Sequence, residues 1–181
     1  MSPPKRQDDE GRYGTVSDFD RPLDVEAAFR GRHNGGAGHG TLGDSRKGFV
    51  RLRRRGWDDL RRLAVVDQLT DHQVIMTIAL LTRAGYRQDR MGVVLGTDRE
   101  LALALGMHFN RAKRLWEALE ALGIGQRLVL DSGERAGWRF DRQAWQWLAG
   151  EEDHPPPRPV AAILAAITGV DPHDLPVVPV P

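Results

Sequence analysis

Apolar residues are unevenly spaced along this chain, and each change of spacing marks a change of element. From Thr70 to Ala84 the residues Val74, Ile75, Ile78, Ala79 and Leu81 form a wide apolar face at three-to-four spacing, which predicts a helix. Thr70 or Asp71 can cap its start and Leu69 can staple it. Gly92-Val93-Val94-Leu95-Gly96 is long enough for one small strand. Thr97-Asp98-Arg99-Glu100 then has the form of a capping box, so a second helix starts there. It turns Leu101, Ala102 and Leu105 inward and stops at Gly106. A short turn of Met107, His108 and Phe109 leads into a third helix, about Asn110 to Leu122, with Ala112, Leu115, Trp116, Leu119 and Leu122 on one buried stripe. Gly123 ends it. Arg127-Leu128-Val129-Leu130, the turn-forming Asp131-Ser132-Gly133-Glu134, and Trp138-Arg139-Phe140 read as a β-hairpin.

The flanks are plainer. Residues 1–47 hold few large apolar side chains and many glycines and read as disordered, with room for one short helix at Pro22 to Arg30. Gly38-His39-Gly40-Thr41-Leu42-Gly43 has the spacing of a dinucleotide fingerprint, but no strand precedes it and no helix follows, so it reads as linker. Phe49-Val50-Arg51-Leu52-Arg53 alternates as an edge strand, and Trp57, Leu60 and Leu63 mark one side of a short helical turn. Residues 48–150 form the expected domain. Its last helix, Arg142 to Leu148, follows a capping Asp141 and carries Trp145 and Trp147 on different faces. Either one indole packs on the core while the other meets a second subunit, or both are partly buried. Residues 151–181 are acidic, then stiffened by prolines, and contain the apolar run Val160 to Ile167. That run is too short to stand as a helix in water, so residues 160–169 dock on this domain or in a partner's groove. Pro172 to Pro181 reads as extended chain.

Strand, helix, tight turn, helix and hairpin is the order of a winged helix-turn-helix. Arg99-Glu100-Leu101-Ala102, Leu105-Gly106 and Leu119-Glu120-Ala121-Leu122-Gly123-Ile124 resemble the pattern shared by GntR-type regulators and by winged-helix domains of phage and plasmid replication initiators. The arginine-rich prelude is similar to that of DnaD-like and phage replisome-organiser domains. The expected class is therefore mainly α with a small β-hairpin (α+β): a three-helix core plus wing, between disordered tails.

Charge agrees with this resemblance. The chain is nearly neutral at +1, yet residues 44–150 hold 19 of its 26 basic and 13 of its 25 acidic residues. A basic centre between neutral and acidic ends is the layout of a nucleic-acid-binding domain. No cysteine is present, which removes disulfides and thiol chemistry and fits a reducing compartment. No apolar run approaches the roughly 20 residues that span a bilayer. The six histidines are scattered, and no phosphate loop, zinc-protease motif or nucleophile elbow is present. No enzymatic activity, metal or cofactor is therefore expected, and the localisation expected is cytoplasmic, on the nucleoid.

The resemblance implies double-stranded DNA as partner, in replication initiation of a mobile element or in transcription regulation. With Ala112, Trp116 and Leu119 inside, Asn110, Arg111, Lys113 and Arg114 are left facing out near the N-terminal half of the third helix, the end that enters a major groove. Arginine reads guanine and asparagine reads adenine there. The GntR-type first-turn positions fall on His108, Phe109, Asn110 and Arg111, with His108 where serine is common and Ala112 where valine is common. Arg135 in the wing, assisted by Arg127 and Arg139, and Arg51, Arg53 and Arg54 in the prelude are further phosphate candidates. Glu134 opposes the wing. A homodimer on a palindromic site is one arrangement this allows, with Trp145 and Trp147 as its interface candidates. The competing reading is a winged-helix adaptor that binds protein through the C-terminal apolar helix, without direct DNA readout.

Overall fold

Local hydrogen bonds start two of the central helices. Thr70 Oγ1 accepts from the Gln73 amide while the Gln73 side chain accepts from the Thr70 amide. Thr97 and Glu100 repeat this reciprocal pairing at the next helix but one strand. Each pair satisfies two amides that a helix start otherwise leaves without partners. In the computed structural model of the chain, residues 22–34, 52–84, 91–150 and 153–169 are described. Their order is α1 (Val25–Asn34), α2 (Arg54–Val65), α3 (Asp71–Leu81), β1 (Val93–Leu95), α4 (Asp98–Ala104), α5 (Phe109–Ala121), β2 (Gly125–Val129), β3 (Arg135–Phe140), α6 (Arg142–Ala149) and α7 (Arg158–Thr168). The described residues are thus mainly helical with one small antiparallel sheet, an α+β arrangement as the sequence indicates.

The sheet order is β1-β3-β2. Val94 lies opposite Trp138 and Arg127 opposite Trp138 on the other side, which fixes the register of both pairs. Alternation along the strands splits the sheet into two faces. Val94, Ala136, Trp138 and Phe140 belong to the buried interior shared with the helices. Val93, Leu95 and Leu128 form a second apolar layer, and Leu23, Val25 and Ala28 of the α1 segment cover it. The Asp131 amide, at the hairpin turn, donates to Glu26 of α1 at 3.0 Å. The short helix for which the sequence left room at Pro22 to Arg30 is therefore present as α1, Val25–Asn34, docked on the sheet. Residues 1–21, 35–50 and 170–181, with the glycine-rich linker, Phe49, Val50 and the extended tail, lie outside the described residues, as does Arg51.

The prelude differs from its expectation. Leu52 and Arg53 are not in a strand, and the helical turn extends to a 12-residue helix, α2. Leu60 and Leu63 are fully buried on its inner side. Gly56 lies where α2 crosses α6: a Cβ there would come within 2.9 Å of the Trp147 carbonyl oxygen. Of the alternating residues only Leu52 and Arg53 are described, and Arg53 gives its amide to the Leu148 carbonyl at the end of α6 (2.8 Å).

Trp145 and Trp147 are both buried, so neither indole is left for a second subunit. Trp147 is held by a polar pin. Its Nε1 donates to Asp59 Oδ2 at 3.2 Å, and Arg62 donates to Asp59 Oδ1 at 3.0 Å. Burial pushes the Asp59 carboxyl above its ordinary range, against the opposing pull of the Trp147 hydrogen bond and of Arg62 and Arg55. α7 settles the other choice left open by the sequence. Val160 and Leu164 are buried in the same interior as Leu60 and Leu63, and α7 packs on α2. The Gln143 side chain donates to the Pro156 carbonyl at 3.0 Å, fastening the proline segment that leads to α7. The apolar face of residues 160–169 thus serves this domain rather than a partner's groove, and the folded body extends past residue 150.

Two stability outcomes follow. Leu164→Ala should cost about 2–5 kcal/mol in urea unfolding, the range for a buried leucine. Asp59→Ala leaves the Trp147 N–H buried without an acceptor and should cost about 1–3 kcal/mol. Asp59→Asn keeps an oxygen for that N–H and removes a charge that burial disfavours. It should stay within about 1 kcal/mol of the parent at neutral pH. The raised carboxyl means that the Asp59 charge opposes folding at neutral pH, and this penalty should lift as pH falls through the raised value.

Candidate nucleic-acid interface

The turn between α4 and α5 is set by a short series of backbone bonds. Gly106 has φ +66°, the left-handed conformation that glycine adopts without strain. Its amide donates to the Leu103 carbonyl (3.0 Å) and the Met107 amide to the Ala102 carbonyl (2.8 Å). This is the double bond pattern that closes a helix C-terminus. Arg83, at the end of α3, adds a brace: its guanidinium donates to the Ala79 carbonyl (3.2 Å) and to the Ala104 carbonyl (2.8 Å), the latter at the last residue of α4. The turn is thereby tied to α3 as well as to α4.

His108 is the N-cap of α5. Its Nδ1 accepts from the Asn110 amide at 3.3 Å, a long bond that satisfies one amide. Ala112, Leu115, Trp116 and Leu119 are buried, as the apolar stripe requires. The remaining faces of the first turns carry Phe109, Asn110, Arg111, Lys113 and Arg114, all exposed. Phe109 is 39% exposed, so it covers the turn only in part. Lys113 lies 4.0 Å from Glu117, an exposed pair one turn apart and worth little in water. Six of the candidate residues are therefore gathered on one helix end: His108, Phe109, Asn110, Arg111, Lys113 and Arg114.

The other candidates go elsewhere. Arg135 is held by Asp98 of α4 at 3.1 Å, with the carboxylate mostly buried. Arg127 makes a two-pronged pair with Glu120 of α5, through Nε at 2.8 Å and Nη2 at 2.6 Å, and its own backbone amide donates to the same carboxylate. The Arg127 hydrogen bond holds the Glu120 carboxyl below its ordinary range, and Glu120 in turn raises the arginine. Burial pushes Asp98 up, more strongly than the nearby Arg127 pulls it down. Arg127 and Arg135 thus join the hairpin to α5 and α4, Arg139 is half-buried on β3, and the hairpin turn exposes Asp131 and Glu134. Arg53 is also engaged internally: it donates to the Gly150 carbonyl at 3.1 Å and pairs closely with Asp153, whose carboxyl it lowers. Arg54 is exposed at the start of α2, an element packed on α3, α6 and α7, whereas α5 packs on α4 and β2.

Sequence reasoning read the cations and missed their acids. Glu120 and Asp98 meet Arg127 and Arg135 across 7 and 37 residues, and neither pair leaves a helical or strand spacing to find. No family model matches this chain, and no curated protein and no solved structure matches it. No helix among the described residues is long and apolar enough to cross a membrane.

The Glu120 pair should show in acid. A carboxyl lowered in the folded state adds stability that is complete above its unfolded value and lost as pH falls through the lowered one. Urea unfolding of the parent should therefore weaken below the ordinary glutamate value of 4.5. Glu120→Gln should cost about 1 kcal/mol at pH 7 and should flatten that acid limb.

Proposed function

We propose that this protein binds double-stranded DNA through a winged helix-turn-helix in which α5 enters the major groove and the hairpin contributes little. The supporting observation is the N-terminal half of α5, which exposes Arg111, Lys113 and Arg114 together beside Asn110 while its other side is buried. The order β1, α4, α5, β2, β3 and the sheet order β1-β3-β2 fit this reading. Three cations on one helix end supply the phosphate attraction that dominates affinity, and Arg111, Arg114 and Asn110 supply donors for base edges. The hairpin differs from a basic wing: Arg127 and Arg135 are engaged with Glu120 and Asp98, and its turn is acidic. We place the role in replication initiation of a mobile element or in transcription regulation, in the cytoplasm on the nucleoid. The adaptor reading lacks its apolar face, since Val160 and Leu164 are buried within this chain.

A salt series on random duplex DNA tests the reading, comparing the full chain with the triple variant Arg111→Ala, Lys113→Ala, Arg114→Ala. Binding should weaken steeply with salt, and the triple variant should lower the log–log slope by up to about 3. Arg135→Ala should change the slope by less than about 1, because that guanidinium is engaged with Asp98. No binding at low salt, or a slope indifferent to the triple change, would remove α5 as a DNA contact.

A further inference from the structure

A cleft opens at the C-terminal end of α5, where β2 begins, β3 ends and α6 starts. It has about 330 Å³ of space, and Gln126, Arg139, Asp141 and Arg142 line it together with the buried Phe140. Gln126 and Arg139 are directly paired across β2 and β3, so both side chains stand on one face of the sheet. Val93, the partner of Arg139 on its other side, identifies that face as the one α1 covers. Arg139 is half-buried there, and Arg142 is exposed.

Cations gather here against local preference. Arg142 is the first residue of α6 and Arg158 the first of α7, and neither helix has an acid in its first turn. A cation in the first turn meets the positive end of the helix dipole, so helix stability does not account for either. Both helix starts reach the same place. Gly123 lines the cleft, and a Cβ added to it would sit 3.5 Å from Pro157 and 3.6 Å from Pro159, the residues on either side of Arg158. Arginines from β3, α6 and α7 therefore meet around one cavity. Asp141 is the one carboxylate among the lining residues, and its Oδ1 accepts from the Gln143 amide (2.8 Å) and the Ala144 amide (3.4 Å). The surplus of positive charge calls for an anion.

Size and donor geometry choose among anions. A guanidinium presents a planar row of N–H donors that meets two oxygens at once. Two such groups on separate elements, with the Gln126 amide beside them, suit a phosphoryl group, which has more acceptor oxygens than a carboxylate. The space is at the low end of small-molecule sites. α5 has 13 residues and is about 20 Å long, so the cleft is separate from the exposed cations at its other end. We propose that this cleft binds the phosphate groups of a small ligand, gripped by Arg139 and Arg142 with Gln126 on the wall and Arg158 at the rim. The proposal does not rest on DNA binding, and its test contains no DNA.

An amide-resolved NMR titration of the full-length protein tests this, with sodium pyrophosphate set against sodium chloride of equal ionic strength. Pyrophosphate should shift the amide signals of Gln126, Arg139 and Arg142 saturably, with a Kd at or below about 1 mM, and chloride should not. Arg142→Gln and Arg139→Gln should each raise that Kd at least about tenfold. Arg61→Gln, at an exposed arginine of α2, should leave it unchanged. The dispersion of each variant's spectrum checks its fold, and Arg142, being exposed, carries the test if the half-buried Arg139 does not tolerate replacement. Shifts that do not saturate, or that chloride reproduces, would overturn the proposal. So would shifts centred on Arg111 to Arg114, or a Kd unmoved by Arg142→Gln.

Discussion

A chain of aromatic contacts decides which way α5 faces. Trp116 of α5 packs at 5.5 Å on Trp138 of β3, Trp138 meets Phe140 edge-on at 6.3 Å, and Phe140 meets Trp145 of α6 at 5.9 Å. Each of these side chains is almost wholly buried. Rings of this size dominate the apolar area of a small interior, and their edge-to-face preference restricts rotation. With Trp116 fixed on the sheet, α5 cannot turn about its axis. Arg111, Lys113 and Arg114 then have no inward option. The orientation of the exposed cations is thus a consequence of packing on the far side of the same helix. The indole N–H groups of Trp116 and Trp138 have no partner, a cost that the area buried by the two rings must exceed.

Arginine fills two different offices in this protein, and position relative to the carboxylates separates them. Arg127, Arg135 and Arg53 are braces: each joins one element to another through a carboxylate or carbonyl, over 7, 37 and 97 residues of chain. Arg83 braces the turn through carbonyls alone. The guanidinium plane suits this work, since it meets two acceptors at once in a fixed geometry. Among the described residues the one acid paired with the cations of α5 is Glu117, 4.0 Å from Lys113. In the proposed complex the phosphate-facing charge is therefore compact, confined to one helix end, while the hairpin acts as structure. That division explains how a chain of net charge +1 could still present a locally cationic surface.

Features that depend on near neighbours could be read directly. The Thr97–Glu100 and Thr70–Gln73 starts, the Gly106 stop and the inner stripe of α5 each span three to five residues, so composition and spacing carry them. The α5 group of the candidate site was legible for the same reason: its residues are outward because their neighbours are inward. What depended on distant partners was not legible. Alternation at 49–53 suggested a strand, but at its described end, Leu52 and Arg53, the Arg53 amide meets the end of α6, 95 residues later, instead of a neighbouring strand. Arg135 looked available because its acid, Asp98, is 37 residues earlier. The two tryptophans of α6 could not be told apart from sequence, because α2 covers the side that helix spacing alone would leave outside.

The bond from the Arg53 guanidinium to Gly150 closes 97 residues of chain, and the Trp147–Asp59 bond closes 88. During synthesis, α2 emerges long before the elements that cover it. At about 5–20 residues per second, its buried leucines wait about 5–20 seconds for α6 and α7 to leave the ribosome. Over that interval Leu60 and Leu63 have no native cover from those elements. The opposite side of α2, where Arg54, Arg61 and Arg62 are exposed, needs no such cover.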